Sequence, residues 1–148
     1  MILSICEMAL KSEGYIGFGR ERVAYFGRWG TVGEKEDDWA YNQVMCDDDS
    51  TNVYFSPQQM LSYSKRLEVA DHDPVKSDVF ALGLMLVEIV FQESLEEIYD
   101  YENYEIKLKP LLEKLSQIRG QFGDEVYEIF IRMLEIEEDD RADYEELF

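Results

Sequence analysis

The chain has 148 residues, 46% of them apolar and 14% aromatic, with a formal net charge of −19. That is enough apolar material for one domain with a core, and it excludes a disordered acidic tail. The charge argues against nucleic acid and anionic membranes, which would repel it, and favours basic protein surfaces; solubility alone is the other reading of the same charge.

MILSICEMAL opens the chain with no basic region ahead of its apolar run and with Glu7 inside it, so it does not read as a signal peptide. Residues 2–11 read as a helix, with Ile2, Ile5, Cys6, Ala9 and Leu10 on one side. Gly14, Gly17 and Gly19 break that pattern; their spacing is not that of a dinucleotide cradle, and a turn is the plain reading. Tyr15-Ile16 and Arg22–Phe26 read as short strands around a Gly-Arg-Glu turn. Residues 28–52 are loop-like, with seven acids between Glu34 and Asp49 that lack the alternation and glycine of a calcium loop. Cys6 and Cys46 lie outside any CxxC pair, too few for a disulfide scaffold and wrongly spaced for zinc, which suits reduced thiols in the cytoplasm.

VYFSPQQML (53–61) joins a β-prone triplet to a helix start. Pro57 fixes its own φ and pushes Ser56 out of the helical region, so Ser56 caps a helix with Pro57 at its first position, running to about residue 67. In DHDP (71–74), Asp73 caps and Pro74 starts the next helix. Residues 75–91 are apolar on nearly every face and must be buried all round, as the axis of the core. The apolar run 79–91 is too short to span a bilayer and carries Glu88. Further helices are expected over 106–120, with Pro110 at a break or a start, over 124–136 and over 142–148, the last capped by Asp139 and Asp140. His72, the only histidine, has no evident Ser or Cys partner in the sequence and reads as a loop residue.

Three stretches, in order, resemble the protein-kinase family. STNVYFSPQ (50–58) is similar to the end of the activation segment, Thr-x-x-Tyr-x-Ala-Pro-Glu, with Thr51, Tyr54, Ser56 and Pro57 in place and Gln58 standing for the Glu. KSDVFALGLMLVEI (76–89) resembles the start of the central F helix, Asp-Val-Trp-Ser-Leu-Gly, through Asp78, Val79, Leu82 and Gly83. MLEIEEDDRADYEEL (133–147) resembles the last conserved element, with Arg141 as its arginine. The resemblance covers about residues 50–148. It implies a mainly α fold: a kinase-like C-terminal lobe built as a helical bundle around a buried central helix at 75–91, with a short β element near the N-terminus and an activation-segment-like region at 25–58. It also implies that the joint at 51–57 lies on the floor where a protein substrate or partner would sit. The Glu of that motif pairs with the late arginine; here Gln58 can still accept from Arg141, as a neutral group. Asp78 in the family anchors catalytic-loop amides, or it is simply an N-terminal cap.

The chemistry of the family is incomplete in these residues. Phosphoryl transfer needs a catalytic-loop Asp, an Asn and the Asp of Asp-Phe-Gly to position the hydroxyl and magnesium. LKSEGYI (10–16) resembles the end of the E helix, but Gly17-Phe18-Gly19 follows where His-Arg-Asp is expected. A second register sets Ala9 at the catalytic Asp and Gly14 at the Asn; neither supplies a base. YFG (25–27) falls at Asp-Phe-Gly: Tyr25 stands at the metal-binding Asp, followed by Phe26 and Gly27, and a neutral phenol is a poor magnesium ligand. The stretch before Gly17 is too short for an ATP-binding small lobe. The expectation is therefore a catalytically inactive, pseudokinase-like module with no resident cofactor. ATP and Mg come only from the family, and the partner is a protein with a basic surface. Part of an active Ser/Thr kinase, and an acidic interaction protein with decayed kinase ancestry, are the two alternatives.

Overall fold

The computed structural model describes residues 54–147 and the backbone of two short strands, β1 (Ile16–Phe18) and β2 (Ala24–Phe26). These strands pair antiparallel, Ile16 opposite Phe26 and Phe18 opposite Ala24, close to the two strands expected there. The helix expected over 2–11, the loop at 28–52 and most of the region 25–58 lie outside the described residues.

The fold is mainly α, and the starts of the first two helices are written locally. Helix α1 (Pro57–Ser64) begins with a complete capping box: the Ser56 hydroxyl accepts from the Gln59 amide, and the Gln59 side chain accepts from the Ser56 amide at 2.9 Å. It stops three residues earlier than the sequence suggests. Arg66 takes the left-handed conformation (φ 51°) and the amides of Arg66 and Leu67 fold back onto Tyr63 and Ser62 carbonyls, a Schellman termination without glycine. Helix α2 (Pro74–Phe91) starts where Asp73 accepts from the amides of Val75 and Lys76. It ends at Gln92, which is also left-handed.

α2 is the centre of the core. Six consecutive residues, Leu82 to Val87, are buried, along with Val79 and Phe80, so the helix has neighbours on nearly every side. Such all-round burial is what an apolar helix without a polar face requires. Gly83 is where α2 comes closest to the chain after α4: a Cβ there would lie 2.8 Å from Leu134 Cδ2 and 3.2 Å from Met133 Cβ.

Between α2 and the next helix the chain makes a 3₁₀ turn (Glu96–Ile98) and a small hairpin, β3 (Tyr99–Asp100) with β4 (Glu105–Ile106). The sequence reading missed this hairpin. Its turn is held by the Asp100 carboxylate, which accepts from the Glu102 and Asn103 amides.

Helix α3 (Leu108–Phe122) carries Pro110 in its first turn, where a missing N–H is harmless, so the proline marks a start and not a break. Leu111, Leu115 and Ile118 point inward. Lys114 shares that buried face, with its ammonium on Glu93 and Glu97 (3.1 and 3.3 Å) and over the Phe91 ring. Helix α4 (Asp124–Met133) ends three residues short of its expected end and gives way to the turn over residues 134–143. Helix α5 (Tyr144–Leu147) begins two residues later than expected. Its cap is Asp143, whose carboxylate accepts from the Glu146 amide, and not Asp139 or Asp140, which lie too far ahead of the first turn.

Candidate functional site

The joint at 54–58 draws together three distant parts of the chain. Tyr54 donates its hydroxyl to the Glu88 carboxylate near the end of α2. The other Glu88 oxygen accepts from the Leu95 amide at 3.0 Å, so one carboxylate ties the joint, the central helix and the following turn. Phe55 is buried, and its carbonyl accepts from the Tyr99 hydroxyl at 3.0 Å.

Gln58 reaches the turn after α4. Its Nε2 donates to the Ile136 carbonyl and its Oε1 accepts from Arg141 Nη2, both at 2.9 Å, across 83 positions of sequence for the second contact. Arg141 is 1% exposed. Its Nε donates to the Glu135 carbonyl (2.7 Å), Nη1 to the Lys76 carbonyl (3.2 Å) and Nη2 also to the Ile136 carbonyl (3.1 Å). The guanidinium lies over the Phe80 ring, 4.8 Å from its centroid. Every polar partner it touches is a neutral oxygen. Burial therefore holds its pKa below the usual arginine range, while Glu138, Glu135 and Asp73 pull the other way without contact. Lys76 completes the junction by donating its ammonium to the Glu138 and Asp139 carbonyls.

Burial first, and then Glu88, push the Tyr54 phenol well above its ordinary value; burial does the same to Tyr99. A phenol whose folded pKa is raised contributes stability that is complete below about pH 10 and is lost as pH climbs above it, because the unfolded chain then sheds protons that the folded chain keeps. Arg141 works the opposite way, so the contrast between variants is the readout. Tyr99→Phe is expected to flatten the fall of unfolding free energy above about pH 10 by close to one proton, at a neutral-pH loss of roughly 1 kcal/mol for its bond to Phe55. Urea unfolding followed by circular dichroism at stepped alkaline pH checks both.

The residues singled out in the sequence do not all share a surface. Gln58 and Arg141 meet, with Phe80 of α2 beneath the guanidinium, while Gly83 lies against Leu134 and Met133. Tyr54 and Pro57 are half-buried. Ser56 is 0% exposed and its hydroxyl faces Ser77 in α2, so the structure takes it out of any partner-facing set. Asp78 sits one turn inside α2, half-buried, and the capping is done by Asp73. Tyr25 and Phe26 lie in β2 as backbone only, and Thr51 and Gly27 lie outside the described residues.

Protein-family models, curated proteins and solved structures gave no match to this chain. Any functional reading therefore rests on the residues themselves.

Sequence reasoning missed the role of His72. It is buried and its Nδ1 lies 2.7 Å from Ser77 Oγ, so it does have a serine partner, five residues on and across the helix start. The signal available was its place between two aspartates just ahead of a capped proline, which fixes the backbone but not the direction of the ring. Among the described residues no three His, Cys, Asp or Glu side chains converge as a cation site requires, and no helix is long and apolar enough to cross a membrane.

Proposed function

We propose that this chain is a protein-kinase-like C-terminal lobe that does not transfer phosphate and acts as a cytoplasmic protein-interaction module for a partner with a basic surface. The observation that carries the reading is the Gln58–Arg141 hydrogen bond. It joins the two positions at which the resemblance calls for a Glu–Arg clasp, 83 residues apart in sequence. A buried arginine held at that spot by Gln58 and three carbonyls supports a retained joint with a neutral acceptor. The absence of phosphoryl transfer is argued from Tyr25 at the metal-binding Asp and from Gly17-Phe18-Gly19 at the catalytic loop. Thr51, Tyr54 and Pro57, with the acidic stretch 34–49, are the proposed partner-facing residues; Ser56 contributes support from inside.

Two titrations of the full chain test this. Mg–ATP at up to sub-millimolar concentration is expected to leave the thermal midpoint unchanged. A ligand at 100 times its Kd would stabilise by about 2.7 kcal/mol, several degrees for a chain of this size, so dose-dependent stabilisation would overturn the inactive reading. A fluorescent Lys/Arg-rich peptide is expected to bind at low salt, and more weakly as salt rises. No binding at low ionic strength would remove the basic-partner half.

A further inference from the structure

The β3–β4 hairpin carries an aromatic surface that the core does not use. Tyr99 is buried, and its hydroxyl donates to the Phe55 carbonyl of the joint at 3.0 Å. The Tyr101 ring lies on the Tyr99 ring, with centroids 5.6 Å apart and 23° between the planes. Tyr99 covers one side of Tyr101, yet Tyr101 remains 39% exposed, so its outer side is open. Tyr63 of α1 touches both Phe55 and Tyr104, with centroids at 6.2 and 5.6 Å. The hairpin is thus seated directly beside the joint.

The charge around this ring has one sign. Residues 93–106 hold six acids and no base. Three of the six have work inside the fold: Glu93 and Glu97 hold the Lys114 ammonium, and Asp100 holds the hairpin turn. The other three, Glu96, Glu102 and Glu105, are exposed and form no ion pair among the described residues. Burial first, and then Glu96 and Tyr63, raise the Tyr101 phenol above its ordinary value, which puts the Glu96 carboxylate within electrostatic reach of the ring. The bases that border this stretch in sequence are Lys65 and Arg66 after α1 and Lys107 after β4, and Lys107 acts on Asp100.

An open aromatic face near unpaired carboxylates suits a guanidinium. The planar group stacks on the ring while its N–H fork donates to a carboxylate. A lysine ammonium is a compact, strongly hydrated point charge and gains less from the ring. We infer that the outer face of Tyr101, with Glu96 near it, is the seat for an arginine side chain of a basic partner protein. This rests on the basic-partner reading and extends the proposed contact from the joint onto the hairpin.

Two fluorescent peptides of equal length and charge, one built on arginine and one on lysine, test it against the full chain at low salt by anisotropy. The arginine peptide is expected to bind about two- to fivefold more tightly, the range for a cation over an exposed ring. Tyr101→Phe keeps the aromatic face and should keep that preference; Tyr101→Leu should abolish it. Equal binding of the two peptides, or a preference that survives Tyr101→Leu, overturns the inference and leaves the basic-partner reading standing. No binding of either peptide removes both. Should Tyr101→Leu fail to fold, nuclear magnetic resonance of the wild-type tyrosine rings decides: the Tyr101 signals must move as the arginine peptide is added, and a still Tyr101 ring overturns the inference.

Discussion

Replacing Arg141 by alanine is expected to lower the unfolding free energy by about 3–5 kcal/mol, the range for breaking a buried charged contact, with urea denaturation as the measurement. The loss has three sources. The carbonyls of Glu135 and Lys76 and the amide oxygen of Gln58 each lose a donor in a buried place, and the Ile136 carbonyl keeps only the one from Gln58. The Phe80 ring loses the group stacked on it. The turn at 134–141 loses the side chain that ties it to α1 and α2. Arg141→Lys keeps the charge but not the planar fork, and a compact ammonium cannot serve oxygens on three sides; it should recover less than half of the loss. Gln58→Glu tests the same junction from the other side. It offers a carboxylate to a guanidinium that has only neutral contacts, and is expected to raise the thermal midpoint by roughly 2–4 °C, equivalent to about 1 kcal/mol at this chain length. A lower midpoint for Gln58→Glu would mean that the Gln58 Nε2 bond to the Ile136 carbonyl matters more than the charge.

The second large effect is expected at Gly83. Valine there places a Cβ within 3 Å of the Leu134 side chain, which is itself buried, and close to Met133 Cβ. Overpacking of this kind costs typically about 1–3 kcal/mol, and the extra methyls of valine put the variant at the upper end. Valine's better helix propensity returns only a few tenths of a kcal/mol. Leu134→Ala alone should destabilise by its own cavity, but the double variant is expected to fall short of the sum by about 1 kcal/mol, since the removed atoms are those the valine strikes. Strict additivity would show that the backbone, and not Leu134, limits the approach.

Helix starts were readable because their signals are local. Ser56-Pro57 and Asp73-Pro74 each carry a cap and a preset φ in adjacent residues, and both helices begin there. α2 was readable from composition alone, since an unbroken apolar helix has nowhere to go but inward. Helix ends were less readable. α1 stops at a left-handed arginine, and nothing in Lys65-Arg66 announces such a turn as a glycine would. The 99–106 hairpin was invisible because two-residue strands leave no alternation to count, and its turn depends on one aspartate. At the junction, the pairing of Gln58 with Arg141 was foreseeable only through the family resemblance; no periodicity links residues 83 apart. The inward turn of Ser56 and His72 was not foreseeable at all, because short polar side chains beside prolines are usually at the surface.

That junction also sets an order of events during synthesis. The joint at 54–58 leaves the ribosome before its partners do: its clasp must wait until residue 141 has been made, and the Tyr54 bond until residue 88. Until then the joint has its contacts to Ser77, Glu88 and Tyr99 but not the clasp that ties it to the turn after α4. Contacts of such long separation slow folding, because a large loop must close before any of them is rewarded. A nascent chain halted shortly before Arg141 should therefore leave the Gln58 amide oxygen without its guanidinium and the Phe80 ring uncovered, and be the form of this protein most in need of a chaperone.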